Sequence, residues 1–219
     1  MRNKKDITID YPVLLRLTGK PVVVVGGGVV ALRKVQGLLE CGAQVKLIAP
    51  EVQPALAKLA EKKQLCWVQR TYRKGDLRGA LLVIGATDQA AVNQRIFNEA
   101  IDNNVLVNIV DQPELCTFTL PARVTRGPVT VAISTGGASP MLARHLREML
   151  EEVVGPEYGQ LAQLMGKLRE EVKAQFPTEA ARRQAWQRLL ESDVLELLKV
   201  GQTKAAEAKA RACLSLPSA

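Results

Sequence analysis

The stretch Val22–Lys34, VVVVGGGVVALRK, sets three consecutive glycines between a β-branched run and a helix-like segment. Four valines in a row suit a strand buried on both faces of a parallel sheet. Apolar residues then recur at helical spacing (Val30, Ala31, Val35, Leu38, Leu39), and Gly42 ends the segment just after Cys41. In that context Gly26-x-Gly28-x-x-Ala31 reads as a dinucleotide fingerprint with alanine in the last place. The first glycine permits the tight turn, the second lets backbone approach a pyrophosphate, and the small third residue lets helix pack on strand. The helix beginning near Val29 and Val30 would aim free N–H groups and its positive dipole end at the phosphates, with Gly27 inside the loop. The competing reading is a turn that holds no ligand.

The acidic residue expected about 20 positions further on, at the end of the second strand, is missing. Ile48-Ala49-Pro50 stands there, with Glu51 one step later. Either Glu51 reaches the ribose hydroxyls or the backbone around Pro50 does. No arginine is placed to meet a 2′-phosphate, so NAD is expected over NADP.

Outward from the loop, strands and helices alternate. Gln44–Ala49, Cys66–Gln69, Ala80–Ala86 and Leu106–Val110 read as strands, Val52–Lys62 and Ala90–Asn103 as helices. That order implies right-handed crossovers and a Rossmann-like, doubly wound parallel sheet in an α/β protein. Ligands of such sheets bind at the carboxyl ends of the strands. Thr87-Asp88 ends the fourth strand there. Asn108 and Asp111 stand at and just beyond the end of the fifth. Asp111 would lie near the nicotinamide as a general base, or else it caps a turn before Pro113.

From Glu114 the pattern changes. Phe118–Val124 and Val129–Thr135 read as a strand pair, and Ser139-Pro140 starts a helix with serine as its cap. Leu142, Leu146, Met149, Leu150 and Val153 line one face of that helix. Ser134, Thr135, Gly136 and Gly137 form a second glycine-rich loop before it, which either holds an anion or simply caps the helix. A strand pair with one apolar helix is a poor core by itself, so a dimer through residues 114–150 is expected. Helices follow over Leu161–Phe176, Thr178–Leu190 and Ser192–Lys199, then an Ala/Lys-rich tail whose last six residues, LSLPSA, should fray. The expected division is 1–113 for cofactor binding, 114–150 for dimerisation and 151–219 as a small all-helical domain.

Composition narrows the function classes. The chain has 219 residues, is 47% hydrophobic and carries a formal charge of +8, most of the surplus falling in the first half. Aromatic residues make up only 4% and no nucleic-acid motif occurs, so a polyanionic small molecule suits the charge better than nucleic acid. No apolar run is long enough to cross a membrane, and the start shows no secretory leader, so a cytoplasmic protein is expected. The four cysteines are scattered and His145 is the single histidine, which argues against a resident metal site or a disulfide framework. His145 falls one position short of the apolar stripe, where packing or surface exposure is the usual role.

Taken together, GGGVVALRK, GATD, VNIVDQPELCTFTLPA and VAISTGGASPMLAR resemble the precorrin-2 dehydrogenase/sirohydrochlorin ferrochelatase family, the first part of sirohaem synthase or a stand-alone enzyme. The similarity runs from Tyr11 to about Leu198. It implies a homodimer of interlocked subunits that oxidises precorrin-2 to sirohydrochlorin with NAD. Some members also insert ferrous iron, as a substrate, to give sirohaem. The family's catalytic aspartate falls on Asp111 and its cofactor positions on Gly26 to Val30, Pro50 and Glu51. Thr135 stands where some members carry a serine. A polycarboxylate substrate suits a basic protein with anion-holding loops. The rival from another class is a non-catalytic NAD-binding redox sensor, which needs the glycine loop but not Asp111. An enzyme acting on a small hydroxy acid would need a His/Arg pair that the second half does not offer.

Overall fold

The computed structural model describes residues 10–216. The basic start, residues 1–9, and the last three residues lie outside that range. The described chain divides into two compact units, one running from Tyr11 to Leu120 and the other beginning at Pro121.

The first unit is built on five parallel strands: β1 (Pro21–Val25), β2 (Gln44–Ile48), β3 (Cys66–Val68), β4 (Leu82–Gly85) and β5 (Leu106–Ile109). Their spatial order is β3-β2-β1-β4-β5, with Val25 in register with Ile48 on one side and with Gly85 on the other. The helices are α1 (Val29–Glu40), α2 (Pro54–Glu61) and α3 (Ala90–Asp102). From β1 the chain winds outward through β2 and β3, then returns to the far side of β1 as β4. The strand order therefore reverses between β1 and β4, and a crevice opens at their carboxyl ends.

The two-residue period of the strands sorts the core. Val22, Val24, Leu82 and Ile84 join Ala31, Val35 and Leu38 of α1 on one face. Val23, Val25 and Val83 join Ile96 and Ala100 of α3 on the other. β1 and β4 are buried on both faces, which is why they read as unbroken apolar runs. A buried carboxylate ties α3 to the segment before β4. Glu99 accepts from the Tyr72 hydroxyl at 2.6 Å and from the backbone N–H groups of Gly75 and Leu77 at 3.0 and 3.1 Å. Burial, then the bond to Glu99, holds the Tyr72 phenol well above its ordinary range.

The second unit starts with the antiparallel pair β6 (Ala122–Arg126) and β7 (Val129–Ile133) and continues as α4 (Pro140–Val153), α5 (Pro156–Gln175), α6 (Glu179–Leu190), α7 (Val194–Lys199) and α8 (Thr203–Cys213). Leu161, Leu164, Leu168 and Val172 of α5 form the spine of a helical core with Leu189, Leu198, Ala206 and Ala210. The apolar stripe foreseen on α4 is present but uncovered: none of its residues is buried, and Leu142, Met149 and Val153 are 48%, 52% and 66% exposed.

Three expectations are corrected. β6 begins at Ala122 instead of Phe118, because the Asn108 amide holds the Phe118 carbonyl at 2.9 Å and keeps that stretch alongside β5. α5 begins at Pro156, five residues before Leu161, since proline is suited to a first helical turn. The tail does not fray at Leu214. That side chain is fully buried and Leu216 packs on the same helical core.

Candidate active site

Four loops meet at the carboxyl edge of the five-stranded sheet: those after β1, β2, β4 and β5. They carry Gly26–Val30, Pro50–Glu51, Thr87–Asp88 and Asn108–Asp111, so the residues expected on this edge are brought to it together.

The three glycines have three different surroundings. Gly26 has φ +120°, and a Cβ built on it would run into the Ala86 carbonyl oxygen. A Cβ on Gly27 would run into the carbonyl oxygen of Glu51. Gly28 has nothing within 4 Å of where its Cβ would stand. The loop is thus fixed on two sides by backbone and open on the third. Gly26 N–H donates to the Ile48 carbonyl at 3.0 Å, and the Gly27 carbonyl accepts from Gln53 N–H at 2.9 Å. The β2–α2 loop that carries Pro50 and Glu51 is thereby locked against the glycines.

Gly28 is also the cap residue of α1, where no side chain caps the helix. The first N–H groups of the helix therefore face the open side without a side-chain acceptor, and Ala31, one turn on, is fully buried against the strands. Uncapped donors below open space are what a pyrophosphate requires, so the residues present fit a dinucleotide. Val29 is 65% exposed beside the loop. Pro50, Glu51 and Asp88 are exposed too. Thr87 turns inward on its own loop: its hydroxyl accepts from Gln89 N–H at 2.9 Å, and its carbonyl accepts from the buried Asn93 amide at 3.1 Å.

Asp111 lies in a turn immediately after β5, exposed, with φ +60°. Left-handed backbone is uncommon outside glycine, and aspartate is among the residues that tolerate it. The turn is held from below. The Cys116 thiol accepts from Ile109 N–H at 3.3 Å, Thr117 N–H donates to the Val107 carbonyl at 2.8 Å, and Asn108 bonds Phe118 as described. Asn108 thus acts as a brace for the strap beside β5. Burial pushes the Cys116 thiol up, as suits a packing role.

Lys34 was not foreseen. It lies three residues after Ala31 and four before Leu38, on the inward stripe of α1, and is half-buried. Burial and the neighbouring Arg33 push its ammonium down from the ordinary lysine range, and the Asp111 carboxylate partly offsets this. A charged residue in the middle of an apolar stripe was the available signal.

The second glycine loop belongs to the other unit, between β7 and α4. Its hydroxyls are used within the loop and on the helix that follows it. Ser134 Oγ accepts from Gly136 N–H at 3.2 Å, and Thr135 Oγ1 donates to the Ser139 carbonyl at 3.1 Å. Ser139 Oγ caps α4 through Leu142 N–H at 3.1 Å. Gly136 and Gly137 both take left-handed φ, +59° and +77°. His145 is exposed on α4.

Among the described residues no helix is long and apolar enough to cross a membrane, and no group of three or more His, Cys, Asp or Glu side chains is placed to share a metal ion. All four cysteines are free thiols.

Comparison with known proteins identifies the family and the fold. An NAD(P)-binding family model matches residues 13–122, the central part of the sirohaem biosynthesis protein matches 126–152, and the sirohaem synthase dimerisation region matches 157–214. Siroheme synthase of Pseudoalteromonas translucida is 42% identical over 196 residues, which is 90% of this chain and 41% of that protein. Siroheme synthase 1 of Aeromonas hydrophila subsp. hydrophila is 43% identical over 207 residues, 94% of this chain and 44% of that protein. The chain therefore spans about two fifths of the length of the curated relatives it matches. A solved structure of SirC, a precorrin-2 dehydrogenase, superposes with a TM-score of 0.74 at 28% identity, covering 91% of this chain and 100% of that one. The parallel sheet with its dinucleotide edge, the short antiparallel pair and the helical region are common ground, and the chain belongs to the sirohaem synthase amino-terminal (precorrin-2 dehydrogenase/ferrochelatase) family.

Proposed function

We propose that this protein oxidises precorrin-2 to sirohydrochlorin with NAD, and that Asp111 is the base that takes the proton. The observation that carries the reading is the position of Asp111: an exposed carboxylate on a braced, left-handed turn, on the same sheet edge as the open face of Gly28. NAD, when bound, supplies the hydride acceptor for a carbon of the tetrapyrrole. The chain's own part is orientation and proton removal. Gly26 and Gly27 fix the loop, and Gly28 with the start of α1 presents backbone N–H groups to the pyrophosphate. Glu51, exposed after β2 with no cation in the Ala49–Gln53 loop, is placed for ribose hydroxyls, which favours NAD over NADP. Asp111 accepts the proton released as the ring system gains conjugation.

Purified protein mixed with NAD and precorrin-2 should form sirohydrochlorin in step with NADH, both read by absorbance. Binding of NAD without product would mean a redox sensor and would overturn the reading. Asp111→Ala should keep NAD affinity and lose at least ~100-fold in rate, about 2.7 kcal/mol of transition-state stabilisation. A loss below about threefold would reduce Asp111 to a turn residue.

The proposal extends to assembly and to iron. The uncovered apolar face of α4 and the strand pair beside it suit a second copy of the chain, so sedimentation at micromolar concentration should give twice 23.9 kDa. An active monomer would overturn the homodimer. Ferrous iron would enter as a substrate, with a carboxylate assisting loss of pyrrole protons. Ferrous iron and sirohydrochlorin, supplied without NAD, should give sirohaem above the spontaneous rate if this second activity is present, and none if the protein only dehydrogenates.

A further inference from the structure

We infer that Asn93 is a positioning residue for the cofactor edge, its amide holding the Thr87 carbonyl so that the Ala86–Thr87 peptide stands fixed against Gly26 of the glycine loop. The inference rests on that loop holding the dinucleotide, whatever the second substrate.

Asn93 lies in the first turn of α3 and is 1% exposed. The other buried residues of that helix are Ile96 and Ala100, which are apolar, and Glu99, whose two carboxylate oxygens are both engaged. Asn93 is different. Its Nδ2 donates to the Thr87 carbonyl at 3.1 Å, while its Oδ1, also buried, meets no hydrogen-bond partner among the described residues. The amide has one workable orientation, since turned over it would set its own oxygen against the Thr87 carbonyl.

A buried acceptor left unsatisfied is destabilising, and an apolar side chain of the same shape would avoid that cost. The helix does not need the amide, because the Asn93 N–H is already bonded to the Gln89 carbonyl at 3.0 Å. The single bond to Thr87 is therefore what the side chain contributes.

The held segment bears directly on the glycine loop. Ala86 N–H donates to the Val25 carbonyl at 2.7 Å, which carries the pairing of β1 with β4 one residue past the strand. A Cβ on Gly26 would run into the Ala86 carbonyl oxygen and would stand 3.3 Å from the Thr87 nitrogen. Thr87 Oγ1 then accepts from Gln89 N–H at 2.9 Å and closes the turn into α3. The Ala86–Thr87 peptide is thus a wall of the glycine loop, and Asn93 anchors the next carbonyl to α3. A wall free to move would leave the loop to be ordered by the dinucleotide itself, at the expense of affinity.

Variants separate this positioning from packing. Asn93→Leu puts an apolar group of similar size in place of the amide and removes both the donor and the idle acceptor, so its Tm should stay within about 5 °C of the wild type. Its Kd for NAD, measured by calorimetry, should nevertheless rise about tenfold. In turnover, KM for NAD should rise with it while kcat at saturating NAD stays within about threefold. Asn93→Asp keeps the shape but sets an oxygen against the Thr87 carbonyl, and should weaken NAD further than Asn93→Leu does. Ala100→Gly, at a fully buried position two turns along α3, lowers Tm away from the loop and should leave Kd for NAD within about twofold. An affinity within about threefold of the wild type in Asn93→Leu would overturn the inference, as would an equal loss of affinity in Ala100→Gly. Should Asn93→Leu not fold, Asn93→Ala, which removes the amide without adding bulk, decides by the same limits.

Amide hydrogen exchange of the NAD-free protein distinguishes this failure from failure of the cofactor reading. The Ala86 and Gln89 N–H groups should exchange at least about tenfold faster in Asn93→Leu, while that of Val83, inside β4, keeps its rate. Unchanged exchange at Ala86 and Gln89 would overturn the tether even in a protein that binds NAD. Faster exchange in a protein without NAD affinity would uphold the tether and overturn the cofactor reading.

Discussion

The molecule contains two loops that look alike on paper, each running from a strand through consecutive glycines into a helix. The Gly26–Gly28 loop leaves its helix without a side-chain cap and keeps open space above Gly28. The Ser134–Gly137 loop ends on Ser139, which caps α4, and Thr135 and Ser134 use their hydroxyls on backbone inside the loop. Both have glycine and both have a helix dipole. Only the first leaves its helix start without a side-chain acceptor, beside room for a ligand. Free donors, more than glycine or dipole, are what make a helix start into an anion site.

The glycines differ for the same reason. In the first loop they are required by other strands' loops: Ala86 and Glu51 press their carbonyls against Gly26 and Gly27. In the second both take left-handed φ, and Gly137 has nothing within 4 Å of a Cβ position, so φ alone requires it. The largest effect should follow from adding a methyl group where backbone is already in contact. Gly27→Ala would force the Glu51 carbonyl aside and loosen the Gln53-to-Gly27 bond. Overpacking of this kind costs on the order of 1–3 kcal/mol. A clear fall in Tm together with loss of NAD binding is expected, and an unshifted melting curve would show that the β2–α2 loop is not held against the glycines.

Gly28→Asp probes the open side. It adds bulk and a negative charge where the phosphates would stand, yet meets no protein atom. NAD affinity should fall at least ~100-fold, about 2.7 kcal/mol, while stability changes by less than about 1 kcal/mol. Equal affinity in calorimetry would remove the pyrophosphate from this loop, and a large stability loss would mean that Gly28 resembles Gly27 after all.

How much of this was legible beforehand follows from the range of each interaction. The strand–glycine–helix unit and the Ser139-Pro140 helix start are written in adjacent residues, and both could be read directly. The stripe on α4 was equally legible as a pattern, but whether it was covered was not. Gly27 gave no sign of its contact with Glu51, because that contact joins two loops 24 positions apart in the chain. Phe118 looked like the start of a strand since nothing local reveals that Asn108 holds its carbonyl. Leu214 looked like a frayed end because burial against α5–α8 is a property of the assembled helices. Asp111 could be placed at a strand end from sequence, whereas its positive φ belongs to a turn held by the later residues Cys116 and Thr117.

That positive φ allows a further separation of chemistry from folding. A left-handed residue other than glycine carries backbone strain of roughly 1–2 kcal/mol, less for aspartate, and glycine at the same position carries none. Asp111→Gly should therefore raise stability by up to about 1 kcal/mol while abolishing precorrin-2 oxidation. Destabilisation instead would show that the Asp111 side chain holds the turn together, as a residue capping a turn would.

The smallest effect belongs to the loop whose helix already has a side-chain cap. Ser139 Oγ accepts the Leu142 N–H at 3.1 Å, and removing that acceptor leaves one helix-end donor to water. Ser139→Ala should cost about 1 kcal/mol of stability, and Ser139→Gly only a few tenths, since glycine is itself accepted at a helix cap. Neither change should move NAD affinity, because the pyrophosphate donors belong to α1 and not to α4. The contrast with Gly28→Asp is then complete in two measurements: one loop loses binding and keeps its stability, while the other loses a little stability and keeps binding. A drop in NAD affinity from Ser139→Ala would break the comparison, since it would make the second loop part of the cofactor site despite its filled cap.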